Sequence, residues 1–286
     1  MRVADLFAGE KTILSYEVFP PKRDDNIDKI YKTLEELQGL NPDFISVTYG
    51  AGGNKADSKT ADIASFIKEK LGIESVAHLT CVNTKKEDLD YILNDFESKG
   101  IENILALRGD INPDVPPQND FKYASDLAKY INDRGGFGVS GACYPEVHLE
   151  ATDAIADIKN LKTKVDNGVS HLISQLFFDN DVFYAFKDRA RSAGIDVPIE
   201  AGIMPVTNKK QIERMVTMCG ATLPEKFVQI LDKYDDKPEA LIDAGIAYAV
   251  DQIVDLTAHG VDGIHLYTMN NPYVARKITD SIKNIL

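Results

Sequence analysis

Glu17 lies inside the apolar, β-prone run Ile13-Leu14-Ser15-Tyr16-Glu17-Val18-Phe19, which the pair Pro20-Pro21 then stops. A carboxylate in such a run must be paired, protonated with a raised pKa, or at work in a site, because an unpartnered buried charge is expensive. Asp157, Asn160 and Lys164 recur at helical spacing, so one helix face carries an acid, an amide and a base. The same spacing also describes a solvated face. Further hydrogen-bonding groups follow apolar runs elsewhere: Thr48-Tyr49, His78 and Thr80, Arg108-Gly109-Asp110, Tyr144-Pro145-Glu146-Val147-His148, Gln175, Thr207-Asn208 and Tyr267-Thr268-Met269-Asn270. Singly, His78 reads as a satisfied core histidine and Thr80 as a strand filler. Jointly, the groups predict a large polar ligand wherever the fold gathers them.

The elements that must gather them alternate along the chain. Strands are predicted at Thr12 to Phe19, Asp43 to Tyr49, Ser75 to Cys81, Asn103 to Leu107, Gly138 to Tyr144, His171 to Phe178, Pro198 to Met204 and Gly263 to Met269. Helices are predicted between them at Ile27 to Leu37, Lys59 to Leu71, Lys85 to Lys99, Tyr123 to Arg134, Thr152 to Asn167 and Val182 to Ala193. Gly39, Gly72, Gly100, Gly135, Gly168 and Gly194 are expected to end these helices in the left-handed conformation. After the seventh strand, Asn208 to Met218, Leu223 to Tyr234 and Pro238 to His259 read as consecutive helices. Eight strand–helix units without an early Gly-x-Gly-x-x-Gly predict an α/β TIM (β/α)8 barrel with extra helices between strands 7 and 8, as one domain over 1–286. Such a barrel places its chemistry at the C-terminal ends of the strands, which is where the polar groups fall.

The 286 residues are 44% hydrophobic, enough for a large core, and 45 acidic against 32 basic residues give a net charge of −13. That balance disfavours nucleic acid and anionic membranes as partners, so an anionic ligand has to be caught locally. Cys81, Cys143 and Cys219 stand far apart, which argues against a disulfide framework and a zinc site; no metal is expected. The N-terminus lacks a signal-like apolar stretch and no segment is of membrane-spanning length, so a cytoplasmic enzyme is expected.

The chain resembles the methylenetetrahydrofolate reductase family in its bacterial, catalytic-domain form. The resemblance rests on Ser15-Tyr16-Glu17-Val18-Phe19-Pro20-Pro21, Ser46-Val47-Thr48-Tyr49-Gly50-Ala51, Ala77-His78-Leu79-Thr80-Cys81, Ala106-Leu107-Arg108-Gly109-Asp110, Tyr144-Pro145-Glu146-Val147-His148, Ser174-Gln175-Leu176-Phe177-Phe178-Asp179, Gly202-Ile203-Met204-Pro205-Val206 and Leu266-Tyr267-Thr268-Met269-Asn270. It implies a flavoprotein oxidoreductase of one-carbon metabolism. FAD would be the cofactor, NADH or NADPH the hydride donor, and 5,10-methylenetetrahydrofolate the acceptor, in a ping-pong reaction that supplies methyl groups for methionine synthesis.

Carried over by position, the FAD contacts are Thr48, Tyr49, Ala51, His78, Arg108, Gly109, Asp110, Tyr123, Ala124, Tyr144, His148, Ala151, Asp157, Asn160 and Lys164. Lys164 would meet the diphosphate, and Asp157 with Asn160 the ribose or adenine. Glu17 would be the general acid that protonates N10 of the folate, its pKa raised by apolar neighbours, and Asp110 would stabilise the cationic intermediate beside the flavin. Glu17, Thr48, Gln175, Gln211, Tyr267 and Asn271 would contact folate or nicotinamide. Two positions depart from the family pattern. Asn271 replaces an expected arginine, which thins the capture of a glutamate tail, and Thr163 replaces a basic residue beside Lys164. Because the chain stops after the barrel, control by S-adenosylmethionine is not implied. A homo-oligomer, and an iron–sulfur partner subunit of the kind some relatives use, stay open. Two rivals stand beside the reductase: a flavin-free pterin barrel for methyl transfer, which colour would exclude, and a non-catalytic folate- or flavin-binding subunit, which turnover would exclude.

Overall fold

Alternation within the apolar runs decides which side chains enter the centre of the molecule and which meet the helices around it. The computed structural model describes residues 1–21, 27–49, 58–111, 117–118 and 120–286. Among them the strands are β1 (Ile13–Val18), β2 (Phe44–Val47), β3 (Glu74–Thr80), β4 (Asn103–Leu107), β5 (Gly138–Cys143), β6 (His171–Ser174), β7 (Ile199–Ile203) and β8 (Gly263–Tyr267). All pair in parallel in chain order, and β1 pairs with β8 to close the barrel. The helices are α1 (Ile27–Gln38), α2 (Ser58–Glu69), α3 (Lys86–Ser98), α4 (Ala124–Arg134), α5 (Ala154–Asp166), α6 (Asn180–Ser192), α7 (Lys209–Cys219), α8 (Glu225–Tyr234), α9 (Pro238–Ala258) and α10 (Pro272–Ile282). The three helices expected between strands 7 and 8 are α7, α8 and α9.

On β1, Leu14, Tyr16 and Val18 belong to the large layer between strands and helices, with Leu34, Ile45, Leu79 and Ile278. The Tyr16 hydroxyl reaches outward to Thr279 Oγ1 of α10 at 2.6 Å. The alternate residues Ile13, Ser15 and Glu17 face the lumen. The floor of the lumen is apolar, formed by Val3, Ile13, Phe44, Val76, Leu105 and Ile173, with Leu6 and Phe7 of an N-terminal 3-10 helix (Val3–Ala8) packed beneath.

Three features differ from the sequence reading. Strand 6 stops at Ser174 rather than Phe178, because Leu176 and Phe178 leave the barrel for a second core with Met204, Val206, Phe227 and Leu231 under α7 and α8. Gly72, Gly100, Gly135, Gly168 and Gly194 take positive φ, but after α1 that conformation falls on Asn41 (φ 53°) and not on Gly39. The N-terminal 3-10 helix and α10 were not anticipated. Gly245 lets α9 approach the chain after β7, since a Cβ there would lie 1.8 Å from the Val206 carbonyl oxygen. No helix among the described residues is long and apolar enough to cross a membrane.

Candidate active site

Glu17 emerges at the C-terminal end of β1, in register with Ser46 of β2 and Tyr267 of β8. Its side chain is 21% exposed, and Oε2 lies 3.6 Å from His78 Nε2 and 3.7 Å from His265 Nε2. Neither imidazole nitrogen has a hydrogen-bond partner. Burial pushes the Glu17 carboxyl up, but His265 and His78 more than offset it and hold the group below its ordinary value. This corrects the expected raised pKa, because the nearest polar groups on β3 and β8 are invisible in the local run around Glu17. Burial pushes His78 itself down to about 4 despite the neighbouring carboxylate, so His78 is neutral near pH 7.

Beside this mouth a cleft of about 490 Å³ opens between the ends of β4 and β5 and helices α4 and α5. Arg108, Tyr123, Ala124, Tyr144, His148, Ala151, Asp157, Asn160 and Lys164 all line it. The face predicted for α5 is therefore a cleft wall rather than a solvated surface. Thr48, Tyr49, His78, Gly109 and Asp110 do not line the cleft; Thr48 and Tyr49 follow β2, His78 sits on β3 beside Glu17, and Gly109 and Asp110 follow β4. Ala51 lies outside the described residues. Gly109 has φ +87°, and a Cβ there would press on Thr80 and Val82, so glycine keeps this turn tight against the mouth.

The cleft's electrostatics come from a few groups. Lys164 Nζ donates to the Ala142 carbonyl at 2.6 Å, and burial lowers its pKa. Asp157 accepts from the His148 backbone N–H at 3.3 Å, and burial raises its pKa. Burial pushes the Tyr144 phenol up to about 12, so it is a neutral donor. Arg108 meets Glu150 through two bonds of 2.5 and 2.8 Å. The sequence reading missed Glu150, which lies two residues beyond the quoted segment that ends at His148. It also missed Ser125 and Asp126, which α4 brings to the wall.

The remaining predicted contacts are placed as follows. Gln175 Oε1 accepts from the Leu176 N–H, and the partly buried Tyr267 hydroxyl donates to the Ser174 carbonyl at 2.7 Å. Gln211 lines a narrow hollow with Met204, Asn208, Met215 and Met269. Asn271 is the N-cap of α10, its side chain accepting from the Val274 N–H at 3.2 Å. The segment flagged for its missing arginine thus has a structural use for asparagine.

The cleft falls within the ~300–1,000 Å³ of ordinary small-molecule sites. Lys164 supplies the observation that tests its fit to FAD. Among the described residues its ammonium makes one hydrogen bond, to a carbonyl, which leaves two N–H donors in a half-buried wall for an anion. With Arg108 and neutral Tyr144 also lining the cleft, and Asn160 and Asp157 one and two turns back along α5, the donors suit a dinucleotide diphosphate with its ribose.

Comparison with known proteins bears on the whole chain. The protein-family model for methylenetetrahydrofolate reductase matches residues 2–283. The 5,10-methylenetetrahydrofolate reductase of Pectobacterium carotovorum is 39% identical over 272 residues, covering 94% of this chain and 89% of that one. Arabidopsis thaliana methylenetetrahydrofolate reductase (NADH) 1 is 36% identical over 91% of this chain and 46% of its own. A solved structure described as an uncharacterized protein from Clostridium thermocellum that binds two copies of 5-methyl-5,6,7,8-tetrahydrofolic acid superposes with a TM-score of 0.68 at 15% identity, over 96% of this chain and 95% of that one, which shows the shared fold. With a barrel mouth built around Glu17 and a match spanning almost every residue, the chain belongs to the methylenetetrahydrofolate reductase family.

Proposed function

We propose that the protein reduces 5,10-methylenetetrahydrofolate to 5-methyltetrahydrofolate with hydride from NADH or NADPH, using FAD, and so supplies methyl groups to one-carbon metabolism. The observation that carries this reading is a carboxylate at the C-terminal mouth of the barrel, flanked by two imidazoles, at the same end of the strands as a cleft lined by Lys164 and Arg108. The plant relative named for NADH supports a nicotinamide donor. Bound FAD would supply a two-electron store that separates oxidation of the nicotinamide from reduction of the folate.

The chain's own residues do the rest. Lys164 and Arg108 would hold the diphosphate, Arg108 exchanging Glu150 for phosphate oxygen, and Asp157 with Asn160 would hold ribose and adenine. Glu17 gives a proton to N10, which breaks the N10–methylene bond and leaves a cationic methylene on N5 to accept hydride. Glu17 is held below its ordinary pKa by His265 and His78, but a folate ring laid over it would displace water and penalise the charged form, so binding itself would shift the group toward the acid it must be. Asp110, at the end of β4, would steady the cation electrostatically. Tyr267, locked on the Ser174 carbonyl, and Gln175 would bound the ring site.

The test is spectroscopic. The purified protein should be yellow, bleach with NADH or NADPH added separately, and regain colour with methylenetetrahydrofolate. In Glu17→Gln, bleaching should persist while recolouring slows by ~10²-fold to 10⁴-fold, the usual effect of losing a positioned acid. Equal slowing of both steps would make Glu17 structural, and a colourless protein that binds no FAD would defeat the proposal.

A further inference from the structure

Beneath Glu17 the lumen holds a second carboxylate that the reaction above does not use. Glu200 of β7 is fully buried, and it fits beside β8 because Gly263 opposite has no side chain; a Cβ there would lie 2.9 Å from Glu200 Cγ. Ser15, one lumen position below Glu17 on β1, donates its hydroxyl to Glu200 Oε1 at 2.8 Å. The same Ser15 oxygen is 2.6 Å from Nδ1 of His265, whose Nε2 faces Glu17. Carboxylate, hydroxyl, imidazole and carboxylate therefore stand in line, all inside the barrel.

The geometry points to Glu200 as a positioning residue: through Ser15 it fixes His265 with Nδ1–H down and Nε2 toward Glu17, so that Glu17 and His265 jointly hold the proton delivered to N10. This deepens the proposed role of Glu17 and rests on it. A hydroxyl carries a single hydrogen, and an ionised carboxylate only accepts. With the Ser15 hydrogen committed to Glu200, the Ser15 oxygen can only accept from His265, which puts a proton on Nδ1. The neutral ring would then turn a bare Nε2 toward a carboxylate, two lone pairs facing each other. One proton between His265 Nε2 and Glu17 Oε2 removes that conflict, and it lies one transfer from the substrate.

The step balances. The proton leaves Nε2 for Glu17 as the O–H bond forms; that bond then breaks as N10–H forms, and the electron pair of the N10–methylene bond stays on N10. Neutral His265 keeps its Nδ1–H, and the pair regains a proton from solvent at the partly exposed Glu17. The groups facing this line are few. His78 on β3, at 3.6 Å from Glu17, is pushed down to about 4 and does not compete for the proton. Ser46 of β2 and Tyr267 of β8 flank Glu17 in register. His171 of β6 sits 3.0 Å from the other Glu200 oxygen, its Nδ1 against Ser140 Oγ at 3.0 Å.

Glu200→Gln in the intact flavoprotein replaces the buried carboxyl group while keeping an acceptor for Ser15. Stopped-flow recolouring by methylenetetrahydrofolate should lose rate at lower pH than in the parent, its alkaline limb moving down by at least one unit, which is roughly tenfold in rate at a fixed pH on that limb. Bleaching by NADH, which takes no proton from Glu17, is the reference in the same samples. Ser15→Ala should move the limb the same way and serves if Glu200→Gln does not fold. Independently of activity, imidazole ¹⁵N NMR of the parent, with His265→Gln for assignment, should show Nδ1 of His265 protonated. An unmoved limb in a variant whose parent still recolours, or a neutral His265 protonated on Nε2 alone, overturns the inference. A parent that never recolours with methylenetetrahydrofolate defeats the functional reading instead, and the NMR result still decides the orientation of His265.

Discussion

Lys164→Met isolates the cation in the cleft wall, because methionine keeps the length and apolar stem of lysine and removes only the charged donor. In the parent, Nζ is already desolvated and held by the Ala142 carbonyl, so little of its side-chain entropy remains to be lost when a ligand arrives. A hydrogen bond to a charged group is worth roughly 1.5–3 kcal/mol, which at about 1.4 kcal/mol per decade weakens FAD binding ~10- to 100-fold. A buried contact is poorly screened, so the deficit should persist when ionic strength rises, unlike that of a surface lysine. Titration of apoprotein with FAD by flavin fluorescence at low and high salt measures this. The same variant has a pH signature. Burial holds the Lys164 ammonium below its ordinary pKa, so the unfolded chain binds that proton more tightly than the folded one. Parent apoprotein stability therefore gains as pH climbs through the depressed folded value toward the ~10.4 of free lysine, and Lys164→Met lacks that gain. An unchanged Kd at both salts would refute the placement of the diphosphate, whatever the stability does.

Asn271→Arg restores the expected cation but removes the cap of α10, whose buried face includes Val274, Ala275, Ile278 and Ile282, and adds positive charge at a helix N-terminus. Thermal unfolding should show a loss of about 1 kcal/mol, or roughly 2–4 °C, and an unchanged Tm would mean the cap bond contributes nothing. Gly202→Ala on β7 would set a Cβ 2.3 Å from the Ser174 carbonyl oxygen and 2.8 Å from the Tyr267 hydroxyl, competing with the bond between them. Urea unfolding should report a cost of ~1–3 kcal/mol, and a parental midpoint would show that the mouth accommodates the methyl without strain.

The barrel was legible because its strands are buried on both faces and so read as near-continuous apolar runs whatever their lumen residues. That same property hid the site's interior. Ser15, Glu200 and His265 look like isolated polar residues in three unrelated strands, and only closure of β1 against β8 brings them to one line. The cleft face of α5 was legible from spacing plus resemblance, since helical periodicity puts Asp157, Asn160 and Lys164 together; whether that face meets solvent or a cavity depends on α4 across the gap. The pKa direction of Glu17 was not legible, because the sequence shows its neighbours along the strand and not His78 and His265 across the lumen. Asn271 illustrates the opposite limit. A departure from a pattern reads as a missing contact, whereas the local geometry uses the asparagine to start a helix.

The division of the barrel into an apolar outer layer and a partly polar lumen explains how the fold tolerates its chemistry. Leu34, Ile45, Leu79 and their neighbours between strands and helices form the contiguous apolar core, and Val3, Phe44 and Ile173 close the floor. Cohesion therefore does not depend on the polar part of the lumen, where Ser15, Glu17, His78, Glu200 and His265 replace the branched aliphatic side chains that usually fill such a barrel. Well-packed apolar substitutes at these positions would be neutral or stabilising, as for other buried ionic groups. The polar residues are thus a cost borne against stability, and their arrangement limits it. Each carboxylate has an imidazole beside it, Glu17 with His78 and His265, and Glu200 with His171, while Ser15 joins the two sets. Ser15 thus links a carboxyl–imidazole set deep in the lumen to the one at the mouth, where the substrate is proposed to take its proton.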